Sequence, residues 1–172
     1  AGNTDPGFIV TQGYTKSIVC NASNLYSGYS DVTGTYVPTG ITGSFRNLKI
    51  TASGLNALMV INAEQLMLVN ASGSFITLNS ASMAMNTTTS GANGLDTGTL
   101  AGSTWYAVWA IYNPTTATFG GLISLSSTSP TLPSGYTYYA RIGWIRTDGT
   151  ANKYPLGFKQ FGRRASYFVT PS

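Results

Sequence analysis

Five carboxylates are all the acid in this chain: Asp5, Asp31, Glu64, Asp96 and Asp148. Glycoside cleavage needs two carboxyl groups facing each other across the scissile bond, and no spacing in the sequence pairs any two of these. Asp5-Pro6, Asp148-Gly149 and Asp31 within Ser30-Asp31-Val32-Thr33-Gly34 stand instead where turns want a side-chain acceptor. Histidine is absent and Cys20 is alone, which excludes Ser-His-Asp and Cys-His relays, imidazole metal sites, internal disulfides and CxxC redox chemistry. Cys20 reads as a small buried apolar residue. No Gly-x-Ser-x-Gly elbow, Ser-x-x-Lys pair, Walker-type loop or metal-ligand cluster occurs. The expectation is a protein with no catalytic residue, no metal and no cofactor.

Leu95-Asp96-Thr97-Gly98 is the sharpest enzyme-like string. It resembles the Asp-Thr-Gly of aspartic proteases, in which a chain with one copy dimerises so that two carboxylates share a proton. No flap or apolar-Gly segment accompanies it, and in so Gly- and Thr-rich a chain it reads as a turn before an aromatic strand. A binding surface is better represented. Asn24-Leu25-Tyr26-Ser27-Gly28-Tyr29-Ser30, continuing to Gly34-Thr35-Tyr36, has the composition of an antibody paratope. Rigid amphipathic rings there give contact area and small polar neighbours give adaptable hydrogen bonds. Tyr26, Tyr29 and Tyr36 are the candidate ligand-binding residues, against the plainer reading of a Tyr-rich loop packed on its own sheet. Tyr136, Tyr138 and Tyr139 form a second cluster, for which packing is the plainer reading.

The elements that position these residues are strands. The chain has 172 residues, 42% hydrophobic and 8% charged, against about 25% charged in ordinary globular proteins. Solubility therefore rests on Ser, Thr, Asn, Gly and Tyr. The nine bases against five acids give a net charge of +4. They are spread from Lys16 to Arg164 with only Arg163 and Arg164 adjoining, so no stripe along the sequence marks a nucleic-acid site. No run approaches the roughly 18 apolar residues of a membrane span, so no membrane insertion is expected. No signal peptide is visible at the start, so synthesis in the cytoplasm is expected. Sequons at Asn21, Asn70 and Asn86 are what an Asn- and Ser-rich chain yields by chance.

Short β-branched and aromatic runs alternate with turn clusters at the spacing of an all-β sandwich or barrel. The pattern predicts strands at 8–12, 16–20, 45–51, 58–62, 66–70, 74–78, 82–85, 105–112, 118–125, 138–146, 157–161 and 165–169, with a bend at Ala63-Glu64. Turns are expected at Ser72-Gly73, Asn93-Gly94, Asn113-Pro114, Pro133-Ser134-Gly135 and Asp148-Gly149. The fold class is all-β, an antiparallel β-sandwich of jelly-roll type. Residues 1–30 form an arm or a first strand pair, and 31–172 form one domain.

One strand carries more information than the rest. Trp105, Ala107, Trp109 and Ile111 share one face and Tyr106, Val108, Ala110 and Tyr112 the other, so both faces need cover. Either the strand is central in the fold or a second subunit covers one side. At 138–146 the alternation places Tyr138, Ala140, Ile142 and Trp144 together, opposite Tyr139, Arg141, Gly143 and Ile145.

The segments GANGLDTGTLAGSTWYAVWAIYNPTT at 91–116, LPSGYTYYARIGWIRTDG at 132–149 and GRRASYFV at 162–169 together resemble a module of tailed-bacteriophage and prophage virion surface proteins. The similarity covers roughly residues 45–172 and carries no catalytic residue. The resemblance implies a non-enzymatic structural protein on the phage particle, made in the host cytoplasm and assembled as a homotrimer with itself and with other virion proteins. Its role would be a tail-fibre or tail-tip module contacting a host surface glycan or protein; the alternative is a capsid decoration protein that stabilises the head. The expected interface residues are Trp105, Trp109, Tyr138, Trp144, Arg163 and Arg164, with Arg141 and Arg146 as further contacts.

Overall fold

The computed structural model describes residues 41–168 and, before them, the backbone of two short strands. The expected strands at 8–12 and 16–20, together with Asp5, Cys20, Tyr26 and Asp31, lie outside the described residues. The chain divides into two units, Ala1–Thr39 and Gly40–Ser172. In the first unit, β1 (Tyr29–Ser30) pairs antiparallel with β2 (Tyr36–Val37), Tyr29 opposite Val37 and Ser30 opposite Tyr36.

The second unit holds ten strands. They are β3 (Phe45–Arg46), β4 (Lys49–Ala52), β5 (Leu58–Asn70), β6 (Phe75–Asn86), β7 (Gly94–Leu95), β8 (Trp105–Asn113), β9 (Thr118–Ser124), β10 (Tyr138–Arg146), β11 (Phe158–Phe161) and β12 (Arg164–Tyr167). No helix occurs among the described residues. The strands join in one sheet in the order β12-β11-β4-β5-β10-β8-β9-β7, with β3 and β6 also on β5. One edge of β5 pairs with β6 along its length, while the other is shared by β4, β3 and β10. The turn residues marked in the sequence do turn the chain: Gly73, Asn93 and Gly135 take φ of 79, 65 and 81°.

The sheet is mixed where an antiparallel one was expected, because β7 lies parallel to β9. The cause is local. The Asn86 N–H donates to the Asn93 carbonyl at 2.8 Å and the Asn93 N–H to the Gly121 carbonyl at 2.7 Å, which folds the 86–95 loop back along β9. Gly94 is required there, since a Cβ would collide with the Thr89 carbonyl.

Two stretches depart from strict alternation. β5 and β6 run unbroken through the expected bend at Ala63-Glu64. Their buried side nevertheless changes face at that level, from Met59, Ile61 and Ala63 to Leu66 and Leu68. The flanking residues Asn47 and Ser80 take φ of 53 and 54° there, so the expected turn is a corner of the sheet and not a chain reversal. In β10 the register against β8 slips by one residue between Arg141 and Gly143, a β-bulge. A one-residue slip exchanges the faces of everything after it. Ile145 is therefore buried, and Trp144, expected on one face with Ala140 and Ile142, is exposed while those two are buried.

The main core gathers Ile50, Met59, Ile61, Leu66, Leu68, Met85, Tyr106, Val108, Ile123, Ile145 and Phe158 from seven strands. Burial of each large side chain contributes about 1.5–3 kcal/mol. A smaller cluster of Ala107, Trp109, Ile111 and Leu122 lies on the other face of β8, covered by Ala92, Leu132, Tyr136 and Tyr139. From Tyr106 to Ile111 both faces of β8 are thus covered by its own chain.

Candidate functional site

Each acid among the described residues is tied to a local structural partner. Asp96 accepts the Thr97 N–H at 2.7 Å on one oxygen and the Thr131 N–H at 3.0 Å on the other, pinning the 126–132 loop beside the end of β9. Asp148 accepts the Thr150 N–H and hydroxyl at 3.1 and 2.8 Å, closing its own turn. Glu64 pairs with exposed Arg46 at 2.7 Å. A hydrogen bond from Asn47 holds its carboxyl below the ordinary value of 4.5, helped by the charge of Arg46 against slight desolvation. Among the described residues no three His, Cys, Asp or Glu side chains gather as metal ligands would.

The residues expected to mediate assembly occupy several different places. Trp109 is 4% exposed, donates its indole N–H to the Ser126 carbonyl at 3.2 Å and meets Tyr139 edge-on. This placement within its own chain removes it from any outer surface. Half-buried Tyr138 packs against Tyr112, their ring centroids 6.5 Å apart. Trp105 and Trp144 are 46% and 39% exposed. Trp105 stands opposite Arg146 and Trp144 opposite Ala107, and the Trp105 ring meets Tyr167 edge-on with centroids 5.9 Å apart. The Arg141 guanidinium lies 5.5 Å from the Trp144 ring and donates to the Ser127 carbonyl at 2.8 Å. Arg163 lies over Phe45 at 5.7 Å, and Arg164 stands opposite Phe161. Of the three tyrosines, Tyr29 and Tyr36 lie on the paired strands of the first unit and Tyr26 outside the described residues.

A different surface emerges on the outer side of β11, β4 and β5, and sequence reasoning missed it. Alternation sends Phe158 and Gln160 of β11 inward and Lys159 and Phe161 outward, and does the same to Ile50 against Lys49 and Thr51 of β4. Register then aligns Arg164, Phe161, Lys49 and Asn62 in one row across four strands, and Ser166, Lys159, Thr51 and Val60 in the next. Residues directly opposite in register share a face. Phe161 and Phe168 are 60% and 57% exposed. The Lys49 ammonium lies 5.7 Å from the Phe161 ring centroid and that of Lys159 5.6 Å from Phe168. Between them runs a shallow groove of about 450 Å³, whose lining includes Lys49, Thr51, Leu58, Val60, Lys159 and Phe168 and contains no acid. A second recess of about 390 Å³ is lined by Thr87, Thr88, Thr89, Ser90, Thr99 and Lys153 among others, without an aromatic ring. The available signal for the first surface was the shared outward parity of Lys159 and Phe161.

Chemically the outer face offers apolar contact, hydroxyl hydrogen bonds and fixed positive charge. No family model, no curated protein and no solved structure matches the chain.

Proposed function

We propose that this chain is a non-enzymatic structural protein of a tailed-phage particle, a surface module of tail-fibre or tail-tip type that contacts the host. The observation that carries the reading is the outer face of β11, β4 and β5, where exposed phenyl rings, hydroxyls and amines lie together with no acid in the groove lining. Such a surface is suited to adhesion, because contact area and charge are present without a carboxylate, imidazole or thiol among the lining residues.

The resembling segments supply the scaffold for it. Asp96 fixes the 126–132 loop, the Gly135 turn packs on Asn113, and the Gly162 carbonyl accepts the buried Gln160 amide at 2.7 Å. In this reading the leaves β12-β11-β4-β5-β6 and β10-β8-β9-β7 form the two layers of a jelly-roll-like sandwich. Three copies assemble through a surface that includes Trp105 and Trp144.

The test is competition. Purified protein is expected to bind host cells and to block phage adsorption. Binding confined to phage heads that lack the protein would make it a capsid decoration protein instead, and turnover of a host polysaccharide would overturn the non-enzymatic reading.

A further inference from the structure

We infer that the outer face of β11, β4 and β5 binds an acidic glycan. This rests on the host-contact reading above and names the ligand class for it.

Lys49 meets two cations of a hairpin more than 100 residues further along the chain, Lys159 and Arg164, on this face. Lys49 stands opposite Phe161, Phe161 opposite Arg164, and Lys159 opposite Thr51. Neighbouring strands are about 4.8 Å apart, so Lys49 and Arg164 bracket Phe161 across about 10 Å. Among the described residues no acid lines the groove to offset Lys49 and Lys159, and a cluster of one sign attracts the opposite one. The nearest acid by register is Glu64, two residues along β5 from Asn62, and Arg46 already neutralises it.

Two phenyl rings on the same face remain largely in water, which forgoes the stabilisation that burial gives a side chain of that size. Each ring has an ammonium within cation–π range. A pyranose fits this pairing: its C–H face covers a phenyl ring or the Leu58 and Val60 side chains, and its hydroxyls meet Thr51, Ser53 and Asn56. A carboxylate or sulfate on the sugar then meets the adjacent lysine. A neutral sugar leaves the lysines without a role. Single-stranded nucleic acid is favoured less, because base stacking wants open ring faces along a continuous cationic track. Here the groove lining sets two lysines beside Leu58, Val60 and Thr51, which is not a continuous cationic track.

Calorimetric titration of the full chain with hexagalacturonate tests the assignment, with maltohexaose as the uncharged control and oligothymidylate as the polyanion control. Hexagalacturonate is expected to bind, and maltohexaose more weakly. Binding should fall about tenfold in the K49Q/K159Q double variant and fall again in about 500 mM NaCl. Both lysines are at the surface, so the unfolding temperature should be unchanged. Phe161→Ser, which keeps the lysines, should weaken hexagalacturonate and maltohexaose alike. The assignment is overturned by absence of binding at millimolar sugar, by undiminished binding in either variant, by equal affinity for maltohexaose, or by tighter binding of oligothymidylate. Host-cell binding that persists without hexagalacturonate binding overturns the glycan and leaves the host-contact reading standing.

Discussion

Gln160 shows how one buried polar side chain fastens two parts of the sheet. Its amide N–H groups donate to the Ile142 carbonyl at 2.8 Å, beside the bulge, and to the Gly162 carbonyl at 2.7 Å, in the β11–β12 turn. Leucine there keeps the volume and strands both carbonyls. Gln160→Leu is expected to cost about 2–3 kcal/mol, read as a lower urea midpoint at unchanged slope. Tyr167 is the opposite case. Burial raises its hydroxyl above the ordinary 10.0, with the Arg146 backbone and charge pulling the other way, and among the described residues no group lies in hydrogen-bonding geometry with the oxygen. The folded state therefore holds this proton more tightly than the unfolded one. The associated stability is present below about pH 10 and is lost as pH rises through the folded value. Tyr167→Phe should leave stability at neutral pH equal or slightly higher, and should flatten its fall between about pH 9 and 11 in unfolding midpoints taken across that range.

Among the elements, β9 meets β6 through a missing side chain. A Cβ on Gly121 would collide with the side chains of Met83 and Met85, so the glycine sets how closely the two strands approach. Gly121→Val is expected to destabilise by about 1–3 kcal/mol through overpacking, measured by thermal unfolding. Strand positions were legible because alternating apolar residues and turn chemistry mark them independently of tertiary context. The β10 bulge was not, because the sequence WIR reads the same in either register. Only the space around Gly143, filled by the Gln160 amide and Ile50, decides which residue is extra. The bend expected at Ala63-Glu64 does not divide the strand, for a related reason. The signal was genuine, but the positive φ values sit on the neighbouring residues Asn47 and Ser80, and pairing with both partners keeps β5 continuous.

At the scale of the whole molecule, distance along the chain misled the reading of charge. Lys49, Lys159 and Arg164 look scattered until β4, β11 and β12 pair, and strand register is the information a single sequence lacks. The same limit applied to the aromatic strand. Two apolar faces admitted either a central position or a neighbouring subunit, and β8 is covered on both sides by its own chain, with Trp109 inside. The proposed homotrimer therefore does not supply the core of the chain; it covers surface that is open in one copy, which includes the exposed indoles of Trp105 and Trp144. Sedimentation at about 10 µM is expected to give three times the 18.1 kDa chain mass. Trp144→Lys places a charge at the centre of that contact and should shift the species toward 18.1 kDa, with the circular dichroism spectrum and unfolding midpoint retained. Unfolding that accompanies dissociation would show that the protomer depends on its neighbours, and a wild-type chain sedimenting as a monomer would remove the trimer altogether.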